Sequence, residues 1–522
     1  MRLKNRIGWS VFILTLLYLK QPVVAQNSHP NKPNVIFIYT DDEGRGMLGF
    51  EGQKIIKTPN VDFMAKNGMV FQNDYGCMFC APARASLLTG FSDVRKGKFI
   101  TNRAGIYIDY LKGMLTLHEV DARLNKVEAV EHPGMVLSQV FDSAGYVTGE
   151  IGKLEWGFAT SRKQMKDHGW DYYYGYLDHR MCHGFYPEVM FENGNPVRIP
   201  GNTRPDAFVD SNAFKHGPIY PEFAENLFMD KAREFIIKNR NHPFFLYFPT
   251  NLPHGPVSVP AIDPEFIHND SLTWKQKMYA SMIKMIDDNV GTFIKLIDSL
   301  GLSQNTIFIF GADNGHHLYY EGKKEHYDNI TTAFSSANGG DIFNGNDGMA
   351  GLKTTNWDGG VLVPMVYYWP GGPIKPGTIS YQLISNYDLL PTVADLLHVK
   401  IPDKKDGISY LPILEGKKMK GHNDVVYGSF MGPALVTRDG WKLRTYLLHG
   451  KNIFQLYYLP KDYAEEHDLR KQYPEKVDSL KRILLKKCNG NLRNGIYDFD
   501  TQPLTELNDI KRAEEEGLKT TN

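Results

Sequence analysis

Cysteine is scarce in this 522-residue chain, which has only Cys77, Cys80, Cys182 and Cys488, so a disulfide-built scaffold is excluded. Net charge is lacking too. Lys plus Arg and Asp plus Glu each number 59, so no excess of one sign drives binding to nucleic acid or to an anionic membrane surface. Past residue 25 no apolar run is long enough to span a bilayer, and no internal repeat or low-complexity tract occurs. What remains is 42% hydrophobic and 12% aromatic, the make-up of a globular protein. Its length asks for one large domain and a smaller one.

The first residues read as an export signal. Arg2, Lys4 and Arg6 supply a positive start, residues 7–19 are almost wholly apolar, and Val23, Val24 and Ala25 suit cleavage before Gln26. The rival reading, a membrane anchor, meets an apolar stretch that is short for a bilayer. Short apolar runs at 35–39, 244–248, 307–310 and 364–368 predict buried strands, and periodic stretches at 221–239 and 279–300 predict helices between them. Strands alternating with helices imply an α/β fold with a mostly parallel sheet, whose ligands gather at the carboxyl ends of the strands. After about residue 415 the runs 425–430, 434–437, 441–446 and 454–458 predict a small antiparallel sheet, with a charged helix at 474–487. The expected division is a signal peptide at 1–25, a catalytic domain at 33–415 and a C-terminal subdomain at 416–522.

Two acidic pairs stand at strand ends. Asp41 and Asp42 follow the run 35–39, and Asp313 and Asn314 follow 307–310. Brought together, three carboxylates and an amide oxygen repel one another unless a cation joins them. An all-oxygen set favours calcium, then magnesium, over zinc. The alternative is that these residues only cap turns and helices. Cys77 and Cys80 form a C-x-x-C pair, read alone as a redox couple or half a zinc site, but no second pair completes a tetrahedral site.

The residues after Cys80 point elsewhere. Cys80-Ala81-Pro82-Ala83-Arg84, continued by Ala85-Ser86-Leu87-Leu88-Thr89-Gly90, resembles the C-x-P-x-R signature of the sulfatase family within the alkaline-phosphatase superfamily. Similar stretches recur at 34–42, 58–75, 145–157, 253–256, 313–315 and 351–370, over nearly the whole mature chain. The resemblance implies an alkaline-phosphatase-like α/β fold and a nucleophile made by oxidising Cys80 to formylglycine (3-oxoalanine), the work of a separate maturation enzyme. One hydroxyl of the hydrated aldehyde then attacks sulfur, and the second, losing its proton, expels sulfate. Carried over residue by residue, Asp41, Asp42, Asp313 and Asn314, with residue 80, ligate calcium, and Arg84 holds the nucleophile. Lys153 and Lys353 grip the sulfate, and His254 is a candidate acid at the leaving oxygen.

The chain departs from the family at several points. The usual G-K-W-H-L-G reads Gly152-Lys153-Leu154-Glu155-Trp156-Gly157, so Glu155 stands where a histidine often deprotonates the second hydroxyl. It is either a carboxylate base or a structural replacement. Ala350 and Leu362 replace common arginines, and Asp358 a common glutamate. The segment 175–187 resembles G-Y-L-N-Q-x-x-A-H-x-Y-Y-P of carbohydrate sulfatases that include N-acetylgalactosamine-6-sulfatase-like enzymes. Asp178 and His179 replace Asn and Gln there, and His183 keeps its place. With His317, these are the expected sugar-binding residues, the alternative being a structural loop. The expected activity is hydrolysis of sulfate esters on a glycan, galactose or N-acetylgalactosamine sulfates first. The rivals are a phosphodiesterase or phosphonate hydrolase of the same superfamily, and a catalytically impaired glycan-binding protein.

Overall fold

A computed structural model of the chain describes residues 32–95, 104–126, 133–203, 222–320, 341–448 and 451–492. The expected signal peptide at 1–25 lies outside these residues. Among the described residues no helix is long and apolar enough to cross a membrane.

Eleven strands form one sheet: β1 (Asn34–Thr40), β2 (Met69–Tyr75), β3 (Val147–Lys153), β4 (Tyr172–Tyr176), β5 (Val189–Glu192), β6 (Asn195–Arg198), β7 (Phe244–Pro249), β8 (Thr306–Ala312), β9 (Leu362–Tyr368), β10 (Thr378–Ser380) and β11 (Ile384–Ser385). Their order is β10-β2-β9-β8-β1-β7-β3-β4-β5-β6, with β11 on β2. The five central strands β8, β1, β7, β3 and β4 run parallel. β9 runs antiparallel to both neighbours, as does β5. The sheet is therefore mixed at its flanks and parallel at its centre.

The runs at the heart of β1 and β7 are apolar because both faces are covered. Val35 to Tyr39 and Phe244 to Phe248 are all 1% exposed or less. Helices Ala224–Asn239 and Trp274–Ser299 fall on the predicted periodic stretches; the second starts earlier than expected because Thr273 and Gln276 form a capping box. β3 was not among the expected strands, because Gly149, Glu150, Gly152 and Lys153 break its apolar run. Gly152 lies at φ +136°, and a Cβ there would stand 2.2 Å from the Pro249 carbonyl oxygen. Only glycine lets β3 approach β7 this closely.

A second sheet, β12 (Asp424–Tyr427), β13 (Ala434–Thr437), β14 (Trp441–Leu448) and β15 (Lys451–Tyr458), is antiparallel throughout, and helix Pro474–Lys487 packs on it. It is the small sheet expected from the sequence. A buried ion cluster ties it to the large domain. Lys442 on β14 lies 2.7 Å from Asp358 and 2.6 Å from Glu465, with its side chain fully buried. Glu465 also accepts the Asp358 backbone N–H at 2.7 Å. Asp358, which replaces the family's glutamate, thus serves the joint between the sheets. Lys442→Met strands two buried carboxylates and is expected to cost about 3–5 kcal/mol, read as a lowered midpoint in denaturant unfolding.

Candidate functional site

Sheet topology brings the site together. Thr40 pairs with Ala312, so Asp41 and Asp42 leave β1 beside Asp313 and Asn314 leaving β8. At the same edge His254 follows β7, Lys153 ends β3 and His179 follows β4. β2 runs parallel to β8 through the antiparallel β9 between them, so Cys80, just beyond β2, belongs to this edge as well. Lys353 enters it from the loop before β9. Cys80 opens helix Cys80–Thr89, with Pro82 in the first turn, and is only 3% exposed. A helix N-terminus carries partial positive charge, which suits an anion at this point.

Asp42 is the hub of the side-chain contacts. Lys353 Nζ donates to its Oδ2 at 2.7 Å, Asn314 Nδ2 donates to its Oδ1 at 2.7 Å, and the Tyr319 hydroxyl donates to it as well. Its backbone N–H donates to Asp313 Oδ1 at 2.9 Å. Lys153 Nζ donates to Asp41 Oδ2 at 2.7 Å, and Arg84 Nη2 donates to Asp313 Oδ2 at 3.0 Å. Lys353 Nζ also lies 2.9 Å from His254 Nε2. Gly315 must be glycine, since a Cβ there would fall 1.9 Å from the Gly359 carbonyl oxygen.

Three carboxylates thus face three cations in a buried space. Burial works to raise Asp41, but Lys153, His254, Arg84 and Lys353 together hold it well below the usual carboxylate range. Asp313 is pushed up to about 8, by burial first and the charge of Asp41 second. Burial raises the Cys80 thiol, with Lys153 and Lys353 opposing. His254 is lowered well below the usual histidine range, by burial first and Lys353 second.

The residues fit a hard cation. Asp41 Oδ1 and Asn314 Oδ1 are buried without a hydrogen-bond partner, and a buried carboxylate oxygen left bare is costly. Ligand atoms of Asp41, Asp42 and His254 lie within 4.8 Å of one another. His254 is a neighbour that the sequence reading did not count among the ligands, whereas Asp313 meets the cluster through Arg84 and the Asp42 amide. Because the protein's own charges nearly cancel, a divalent ion leaves the space positive, as an anionic ester requires.

The other expected residues divide. Glu155 faces away from the cluster: His168 Nδ1 lies 2.7 Å from one carboxylate oxygen and Trp170 Nε1 donates to the other at 2.5 Å. The contacts favour the structural replacement over the carboxylate base. Asp178 is committed to backbone, accepting from Gly105 at 2.9 Å, Tyr107 at 3.2 Å and Arg180 at 2.9 Å, so it builds the loop instead of meeting a sugar. His183 stacks on His254 with centroids 3.8 Å apart, and its Nε2 is unpartnered. His317 packs against Tyr319, with Nδ1 unpartnered. His179 is buried in the same region and is treated below. His316, the neighbour and rival of His317, is bound to Tyr279 at 3.2 Å and Tyr320 at 3.0 Å, inside the core. Sequence reading missed Tyr319, whose signal was a tyrosine shortly after Asp313-Asn314-Gly315. It also missed Phe158 and Phe430, which flank Phe79 in a stack at 6.2 and 5.5 Å beside Cys80.

The Sulfatase family model matches residues 33–399. The chain belongs to the sulfatase family. A model described as N-sulphoglucosamine sulphohydrolase, C-terminal, matches residues 353–491 of this sulfatase. Human N-acetylgalactosamine-6-sulfatase is 30% identical over 407 residues, covering 75% of this chain and 67% of its own. Human arylsulfatase A is 28% identical over 404 residues, covering 74% and 68%. Among solved structures, Ps i-CgsB in complex with k-i-k-neocarrahexaose has a TM-score of 0.68 at 22% identity, covering 94% of this chain and all of its own. That likeness shows the shared alkaline-phosphatase-like fold. The chemistry of the sulfatase is sulfuric-ester hydrolysis.

Proposed function

We propose that this sulfatase hydrolyses sulfate esters on a carbohydrate, galactose or N-acetylgalactosamine sulfates first, with Cys80 matured to formylglycine and calcium held by Asp41, Asp42, Asp313 and Asn314. One observation carries the reading: Cys80 opens a helix at the sheet edge where Lys153, Lys353 and Arg84 meet three buried carboxylates. The matured residue and the ion supply a strong oxygen nucleophile and a Lewis acid. Lys153 and Lys353, each anchored at 2.7 Å on an aspartate, hold sulfate oxygens as negative charge shifts onto them. Arg84, fixed by Asp313 and by the Tyr39 ring 5.4 Å away, orients residue 80. His254, paired with Lys353, stands at the leaving oxygen.

A carbohydrate is supported by the rim. Half-buried Phe158 and Phe430 offer ring faces to a sugar, while His183 and His317 present unpartnered nitrogens to its hydroxyls. The sugar preference rests on the relatives named above. Export through residues 1–25 and a formylglycine-generating partner complete the proposal. Its test is mass spectrometry of the residue-80 peptide from native material, run beside desulfation assays on defined sulfated sugars. The aldehyde mass and fastest release from galactose or N-acetylgalactosamine sulfates are expected. An untouched thiol in protein that still releases sulfate overturns the nucleophile, and faster release from other sugars overturns the substrate.

A further inference from the structure

Position 155 leaves a task undone. In the family pattern its histidine helps deprotonate the nucleophilic centre, yet here Glu155 adopts φ +57° and gives both carboxylate oxygens to His168 and Trp170. β3 and β4 are parallel neighbours in which Lys153 pairs with Tyr176. Residue 155 lies two positions past that pair on one strand, and residue 179 three positions past it on the other. The two chains therefore leave the sheet side by side, and the second delivers a histidine where the related pattern has glutamine.

His179 is held as a ligand-directed residue would be. Its backbone N–H donates to the Phe158 carbonyl at 2.8 Å, Cys182 Sγ donates to its carbonyl at 2.8 Å, and Asp178 caps the short turn it opens. The ring is 1% exposed, and neither nitrogen has a hydrogen-bond partner among the described residues. An imidazole buried with both nitrogens bare is costly unless something meets them. The charges acting on it are Lys153, Arg84, Asp41 and His183, and Lys153 and Asp41 act on Cys80 too. Phe158, whose carbonyl holds His179, packs against the apolar cluster containing Cys80.

We infer that His179 is the imidazole that hydrogen-bonds an oxygen borne by residue 80 and takes up its proton, doing from β4 what the family pattern does from position 155. The inference rests on the sulfatase reading of Cys80. With residue 80 matured, a bare ring nitrogen of His179 would take the proton as the O–H bond breaks; the electron pair left on oxygen would form the C=O bond while the C–O bond to sulfate breaks and sulfate leaves. The imidazolium would then release that proton to solvent, which balances the net conversion of sulfate ester and water to alcohol, sulfate and a proton. Burial, then Lys153 and Arg84, disfavour the protonated ring, which suits a proton acceptor.

His179→Gln restores the pattern's residue, a hydrogen-bonding side chain that cannot act as a base. In matured enzyme kcat is expected to fall ~10²–10⁴-fold and KM to fall with it, so that kcat/KM is largely kept, while the first turnover still releases desulfated sugar in a burst. Steady-state turnover within a few-fold of wild type, or loss of burst and steady state together, overturns the inference. A binding readout needs no turnover: inorganic sulfate is titrated into the wild-type chain carrying nitrogen-labelled histidine, followed by NMR. Ring signals of both His254 and His179 are expected to move. Movement of His254 without His179 overturns this inference alone, whereas no movement at either ring contradicts the sulfate-binding pocket itself and takes the inference down with it.

Discussion

Cys80→Ala is expected to abolish turnover, by ~10⁴-fold or more, while leaving sulfate binding close to wild type. The reasoning starts from what each group does. Lys153 and Lys353 are held by Asp41 and Asp42, independently of residue 80, so the grip on the anion survives. Alanine is a good helix former and sits without strain at the start of Cys80–Thr89, so the fold survives too. Only the attacking atom is lost. The checks are kcat on a sulfated sugar and calorimetric binding of inorganic sulfate, measured on the same preparation. A rate near wild type would mean that another group attacks sulfur.

Asp42→Asn is the second large effect. Asp42 adopts φ +67°, a conformation that Asn tolerates, so the backbone need not change. What changes is charge. Asn removes the carboxylate to which Lys353, Tyr319 and Asn314 all donate, and leaves two carboxylates in place of three to face a cation. Calcium content by elemental analysis is expected to drop from stoichiometric to near zero, with kcat falling at least ~10³-fold in step, as several kcal/mol of transition-state stabilisation are withdrawn. Full metal occupancy in this variant would refute Asp42 as a ligand.

How legible this site was depends on the kind of contact. Asp41, Asp42, Asp313 and Asn314 could be paired from sequence because each pair follows an apolar run, and apolar runs in α/β chains become neighbouring parallel strands. The small sheet was legible for the same reason, its strands being short, apolar and separated by turns. Cys80 is different. No composition or spacing distinguishes it from Cys77, and only the resemblance of the residues after it gave it a role. Glu155 shows where local reading stops: its orientation is set by His168 and Trp170, whose positions depend on how β4 is laid against β3. β3 itself was hidden by the two glycines and two charged residues that fit it to its neighbours, features that weaken a strand pattern while making the packed strand possible. Phe430 arrives from the other sheet altogether, a juxtaposition no linear pattern encodes.

The joint between the two sheets bears on how this protein can be divided. Besides Lys442, the small sheet sends Arg444 Nε to Asn356 Oδ1 at 2.8 Å, and Asn356 Nδ2 reaches the Thr445 carbonyl at 2.7 Å. Asn356 stands three residues from Lys353, so one wall of the pocket leans on the small sheet. A version cut near residue 415 keeps every residue assigned to the ion and still loses the brace for its anion grip. Trimming the small sheet therefore changes the anion pocket as well as the stability of the chain, because Asn356 loses the partners that hold it.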